Sequence, residues 1–278
     1  MIRCKPLLGT YVEISAEIGS INMTSFELDE VINKSFSAIK LVQDLMGFHH
    51  PDSELSQINM LAHTKVLEIH PWTFEVLRIA KEIHKASFGI FDCGVGSKLV
   101  ENGLLPNHQI ASSQAWGRLA DLILEKPNLV SSMRPIQIDL GGIAKGFAVD
   151  KAVEILKSAT IESGLVNAGG DMRVFGAQSQ ELLIRSPANP KELLSIGSLK
   201  DGAVASTSLY YSDAANSQSR SPIVNPMTME QIEFTDSYSV IAPRCIYADA
   251  LTKILAITKN STHPCFAEFS AHAIRICS

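Results

Sequence analysis

Three short stretches carry residue types suited to handling charge. The first is Ile138-Asp139-Leu140-Gly141-Gly142-Ile143-Ala144-Lys145-Gly146. Residues 135–140 read as a strand, the glycines as a turn, and residues 144–158 as a helix. Backbone N–H groups at a helix start favour an anion, glycines admit close approach, and Lys145 adds a compact positive charge. The spacing is G-x-x-x-x-G, but no Lys-Ser/Thr follows the last glycine, so it is not a Walker loop. It also lacks the G-x-G-x-x-G of a dinucleotide turn. Locally, an anion cradle and a plain glycine connection with a solvated lysine both fit. The second stretch, Asn167-Ala168-Gly169-Gly170-Asp171, reads as a tight turn. It either brings backbone close to a ligand or is a β-turn whose Asp171 bonds its own backbone. The third is Tyr247-Ala248-Asp249-Ala250-Leu251-Thr252-Lys253. Asp249 opens an apolar helix read over 248–258, where it either complements the helix dipole or ligates a hard cation. Thr252 and Lys253 share its helix face, being three and four residues on.

Other chemistries have little support. His49 and His50 are adjacent, and no His-x-x-x-His pair is present, which argues against catalytic zinc. No G-x-S-x-G offers a nucleophile elbow. The five cysteines are odd in number, widely spaced and without C-x-x-C, so they read as free thiols of a reducing compartment. A net charge of −5 and the lack of a Lys/Arg block disfavour nucleic acid and anionic membrane as partners. No apolar run approaches the roughly 20 residues of a membrane span. The numbered chain opens MIRCKPLLGT, without the apolar core of a secretory signal, so a cytoplasmic location is expected.

The elements that must position these residues follow from periodicity. Residues 10–17 alternate as a half-buried strand, and residues 25–46 carry apolar side chains at helical spacing. Pro51 closes that region, and Asp52 or Ser53 caps a short helix with Glu54 in its first turn. Pro71 opens a helix over 72–87 that Gly89 ends. Residues 91–100 read as loop and turn, and 112–120 as a short helix. A strand, a glycine turn and a strand fill 164–176, with further strands at 182–187, 201–208 and 237–243. The Ser- and Asn-rich piece 209–236 is too long to be an idle loop. Strands and helices mix without strict βαβα alternation, which predicts an α+β or loosely α/β single domain spanning 1–278.

Together and in this order, the stretches resemble the ApbE family, the FAD:protein FMN transferases. The resemblance starts at Leu8-Gly9-Thr10 and runs through PDSELSQIN and GIFDCGVGSKLV. It peaks over DLGGIAKGFAVDKAVEIL…GLVNAGGDMRVFG and closes at APRCIYADALTK. It implies an α+β, T-fold-like domain with antiparallel or mixed sheets, packed helices and an FAD cleft. It implies magnesium-dependent transfer of FMN from FAD to a Thr or Ser hydroxyl of an acceptor flavoprotein, with AMP leaving. Carried over by position, Leu8, His49 (or Phe48 beside it), Ile90, Phe91, Asp92, Asp139, Lys145 and Ile223 fall along FAD. Gly142, Asp249 and Thr252 fall at the metal, and Asp249 and Lys145 are the expected catalytic pair.

The chain also departs from the family pattern. Lys253 stands where the A-D-A-L-A-T helix has its Thr, and Thr252 comes one residue early. Against H-I-I-D-P-x-T-G the chain reads Pro222-Ile223-Val224-Asn225-Pro226-Met227-Thr228-Met229, so the His is missing, Asn replaces Asp and Met replaces Gly. A-T-S-G-D-Y becomes Ala205-Ser206-Thr207-Ser208-Leu209-Tyr210. FAD binding is thus better preserved than the transfer machinery. Two other outcomes stay open: an FAD-binding protein without transfer, and a magnesium-dependent FAD pyrophosphatase giving AMP and FMN.

Overall fold

Val12, Ile14 and Ala16 point into the core while their neighbours along the strand do not, as the period-two alternation requires. In this computed structural model, which describes residues 1–17, 23–108, 116–189, 191–209 and 221–278, that strand is β2 (Thr10–Glu17). It forms a hairpin with β1 (Ile2–Leu7). Leu8 and Gly9 make the turn with φ of 55° and 69°, the positive values a tight hairpin needs. Along the chain follow α1 (Ser25–Met46), α2 (Glu54–Leu61), β3 (Leu67–Glu68), α3 (Pro71–Ala86) and α4 (Gly96–Glu101). Then come β4 (Leu122–Glu125), β5 (Leu129–Ser132), α5 (Ala144–Ser158), β6 (Ser163–Ala168) and β7 (Asp171–Phe175). Next are β8 (Gln180–Arg185), β9 (Leu193–Leu199), β10 (Gly202–Thr207), β11 (Val224–Asn225) and β12 (Glu230–Gln231). The chain closes with β13 (Ser237–Ala242), α6 (Cys245–Thr258), α7 (Pro264–Glu268) and β14 (His272–Ile276).

Seven strands form one antiparallel sheet in the order β1-β2-β6-β7-β10-β13-β14. The fold is α+β. Helices α5 and α6 lie on the sheet and on each other, and α1 packs against α5. The apolar faces fill the space between: Leu28, Ile32 and Ile39 from α1, Phe147 and Leu156 from α5, and Leu251 and Leu255 from α6 are all buried. Smaller sheets, β3-β5-β4, β8-β9 and β11-β12, sit outside this frame. Among the described residues no helix is long and apolar enough to cross a membrane, and all five cysteines are free.

Most elements read from periodicity are present, and Ser53 is the cap of α2. Four readings need correction. Residues 135–140 form no strand. They run extended but bond to loops and to one side chain: Asn59 takes the Ile138 N–H at 2.7 Å and gives its amide to the Ile138 carbonyl at 2.9 Å. Residues 96–101 are helical, not loop. In the stretch 112–120, residues 112–115 lie outside the described residues, and the rest holds only a single 3₁₀ turn, Leu119–Asp121. Helix α6 starts at Cys245, before the Ala248 expected, because a buried side chain of α5 caps it, as described next. Within 209–236, residues 210–220 are outside the described residues, including Tyr210, and the remainder holds the β11–β12 hairpin.

Candidate functional site

Helix α6 has no capping side chain of its own at Arg244. The cap comes from α5. Asp150, fully buried, accepts the Cys245 N–H at 2.9 Å and the Ile246 N–H at 3.0 Å, and pairs with Arg173 of β7 at 2.6 Å. This satisfies donors that a helix start would otherwise leave bare and fixes α6 against α5. Gly146 tightens the joint: a Cβ there would stand 2.3 Å from the Cys245 carbonyl oxygen and 2.9 Å from Asp249 Cβ. The last glycine of the G-x-x-x-x-G stretch therefore serves helix packing, not an anion.

The joint creates a charge cluster. Lys145, in the first turn of α5, pairs with Asp171 at the start of β7 at 2.5 Å. Gly146 N–H donates to Asp249 Oδ2 at 3.0 Å, and the Lys253 ammonium sits on Asp249 Oδ1 and also donates to the Asp249 carbonyl at 3.0 Å. Burial pulls the Lys145 pKa down, but Asp171 and Asp249 outweigh it and hold the ammonium above its ordinary value. Burial and the Asp249 carboxylate push Asp171 up, against the attraction of Lys145. Burial also works to raise Asp249, yet Lys253 and Lys145 hold it below the usual carboxylate range. Two carboxylates sharing a buried site split in this way.

Three hollows meet at Lys145. One, about 280 Å³, is lined by Ile90, Phe91, Asp92, Asp139, Ile223 and Lys253 among others. A second, about 540 Å³, lies toward Leu8, Phe48, His49 and Asp139. A third, about 720 Å³, runs between the β6–β7 turn, the end of β10 and the β8–β9 hairpin. Lys145 lines all three.

The family pattern described as the ApbE family matches residues 8–275. The chain belongs to the ApbE family. It is 28% identical over 258 residues to an FAD:protein FMN transferase of Haemophilus influenzae, covering 84% of this chain and 73% of that one. It is 26% identical over 256 residues to one of Treponema pallidum, covering 81% and 70%. Among solved structures, the flavin transferase ApbE from Vibrio cholerae superposes with a TM-score of 0.80 at 22% identity, covering 99% of this chain and 92% of that one. The ApbE protein of Thermotoga maritima gives 0.81 at 24% identity, covering 99% and 93%. At these identities the structural likeness speaks for the fold.

The expected FAD contacts of this ApbE chain gather around the cleft, with different freedoms. Leu8 hangs at the β1–β2 turn, its N–H held by Gln43 Oε1 at 2.6 Å. His49 is exposed on the wall, whereas its neighbour Phe48 is core. Phe91 is buried, and Asp92 Oδ1 is occupied by the Gly94 and Leu119 N–H groups at 2.7 and 3.0 Å, so Asp92 pins the loop as well as lining the cleft. Asp139 borders the first two hollows. Burial raises its pKa, in spite of the Gly141 N–H bonded to Oδ1 at 3.1 Å. Cys93 also borders the first hollow, but burial pushes its thiol up, so it stays a protonated thiol and not a nucleophile.

The expected metal set does not assemble. Both Asp249 oxygens are engaged, and Asp249 is fully buried. The Thr252 hydroxyl is buried and donates to the Asp249 carbonyl at 2.7 Å. Lys253 lies across Gly142, where a Cβ would stand 3.2 Å from Lys253 Cε. A hard divalent ion prefers six or more oxygen ligands with open lone pairs. An ammonium occupies that place here, so magnesium does not fit. Among the described residues no group of three or more His, Cys, Asp or Glu side chains could hold a metal ion.

Asn225 closes a turn with acceptors that an Asp would equally supply, so the contacts do not account for the exchange of Asp for Asn. Its Oδ1 accepts the Met227 N–H at 2.9 Å, and its carbonyl accepts that of Met229 at 2.8 Å, closing the β11–β12 turn. Met229 has φ of 58°, the left-handed conformation a glycine would hold without strain. The sequence reading missed the role of Asp171. The turn is held by Asn167, whose Oδ1 accepts the Gly170 N–H at 2.9 Å, and this frees Asp171 to take Lys145. The sequence signal was the Asn three residues before Gly170, which is a sufficient turn acceptor by itself.

Proposed function

We propose that this chain transfers FMN from FAD to a Ser or Thr hydroxyl of an acceptor flavoprotein, releasing AMP. The observation that carries it is Lys145 at the meeting point of three hollows. FAD has two flat arms about a doubly charged pyrophosphate, and an acceptor chain needs a third approach to that centre. The relatives named FAD:protein FMN transferase support the same reading.

In this reading the acceptor oxygen attacks the flavin-side phosphorus. The new P–O bond joins FMN to the side chain. The bond from that phosphorus to the bridging oxygen breaks, and AMP leaves with that oxygen. Such transfers rest on positioning and on neutralising oxygen charge. The Lys145 ammonium, kept protonated by its carboxylates, supplies counter-charge at the bridge. Asp139, facing the cleft with a raised pKa, is the carboxylate placed to take the hydroxyl proton. Asp249 does not border the cleft; it is a positioning residue that holds Gly146 and Lys253.

The test is incubation of the chain with FAD and a flavoprotein bearing a Ser/Thr flavinylation site, read by mass spectrometry. AMP and FMN-modified acceptor in equal amounts are expected, and Lys145→Met should lower the rate by about a hundredfold or more. FAD bound with no AMP formed supports binding without transfer. AMP and free FMN without an acceptor support hydrolysis. Either result overturns the transfer reading.

A further inference from the structure

Resting on the reading of the cleft as an FAD site, we infer that Lys253 is a built-in cation for the pyrophosphate, and that the chain binds FAD without a divalent metal. The geometry has three parts. The Lys253 stem crosses Gly142, and the side chain lines the cleft beside the glycine turn. The ammonium is anchored by Asp249, through one carboxylate oxygen and the backbone carbonyl. An ammonium has three N–H donors, and these two bonds leave the third for an oxygen in the cleft. Lys253 and Lys145 line the same hollow, together with Gly142 and Asp139. A pyrophosphate laid along the turn then meets two ammonium groups.

The arrangement also accounts for the buried Asp249. It does not reach the cleft, and both its oxygens are filled. Its negative charge balances a lysine that would otherwise be half-buried against Gly142 with no partner. A metal bound between Asp249 and Gly142 would have to displace that lysine from a bond made within the same helix, four residues apart.

FAD binding to the full chain, followed by flavin fluorescence or equilibrium dialysis, tests this in excess EDTA and in excess magnesium. The wild-type dissociation constant should differ by less than about twofold between the two conditions. Lys253→Met in EDTA should weaken binding by about tenfold or more, the loss of one charge-assisted hydrogen bond, and Lys253→Arg should retain most of it. A wild-type affinity that drops about tenfold or more in EDTA overturns the inference while leaving the FAD site intact. Unchanged affinity in Lys253→Met also overturns it. Absence of FAD binding in both conditions overturns the site reading and this inference with it. Should Lys253→Met fail to fold with Asp249 unpaired, the two wild-type titrations and Lys253→Arg still decide.

Discussion

Gly146→Ala sets two known effects against each other. In a helix, alanine is favoured over glycine by up to about 1 kcal/mol, so propensity alone predicts a more stable protein. The contact at this position predicts the reverse. The new methyl would stand 2.3 Å from the Cys245 carbonyl oxygen, well inside the 3.0 Å below which real contacts essentially do not occur. The clash is with backbone at a helix start pinned by Asp150, so no side-chain rotation relieves it. Helix α6 must retreat by at least about 0.7 Å, stretching the Gly146 N–H to Asp249 bond and loosening the buried α5–α6 seam, a type of overpacking that costs about 1–3 kcal/mol or more. We expect the clash to win by about 2 kcal/mol net, which for a chain of this size lowers Tm by roughly 3–4 °C. The assay is thermal unfolding by circular dichroism alongside FAD titration. Because α6 carries Asp249 and Lys253, FAD affinity should fall with stability, by about tenfold for a shift approaching 1 Å. A Gly146→Ala variant as stable as the wild type, with unchanged FAD affinity, would falsify the close-packed joint.

Two further outcomes follow from the same cluster. Asp150→Ala strips two N–H groups of α6 and the Arg173 guanidinium of their acceptor, and should cost about 3–5 kcal/mol in urea unfolding; a loss below about 1 kcal/mol would show that the cap is not needed. Asp139 titrates higher in the folded chain than in the unfolded one, so the unfolded chain releases its proton first and stability drops as pH rises through that interval. Asp139→Asn should therefore raise Tm near pH 7 and leave it unchanged below about pH 3, where both states are protonated; a gain independent of pH would contradict the raised pKa.

The sequence was most legible where one element answers to its own periodicity. Helices α1 and α5 begin and end at the residues their apolar spacing marked. The signal failed where a distant side chain supplies what a neighbouring strand or local cap normally would. Residues 135–140 have the composition of a strand, but among the described residues no strand pairs with them, and the Ile138 backbone is satisfied by Asn59, a side chain 79 residues away. The start of α6 was placed late because its cap, Asp150, is 95 residues upstream of Cys245. The site followed the same rule. Resemblance marked Lys145, Asp139 and Asp249, while Asp171 and the function of Gly146 required two elements to be brought together. The departures proved more informative than the matches: Lys253 read as a defect in a metal site, and in the fold it is the cation on Asp249.

The Asp150 cap also has a consequence for how the chain is made. Synthesis proceeds from the N-terminus, and a nascent chain begins to fold as it emerges. When α5 appears, Asp150 and Gly146 have no α6 to receive. Arg173 arrives early enough to hold Asp150, but the N–H donors of Cys245 and Ile246 come only after β13. Until then, the nascent protein has a seven-stranded sheet lacking its last strand, β14, and a carboxylate facing an empty groove. The wall of the first hollow that Lys253 and Ile257 supply is therefore a late product of translation, and a ribosome stalled before α6 would display α1, α5 and the first hairpin without the second lysine of the cleft.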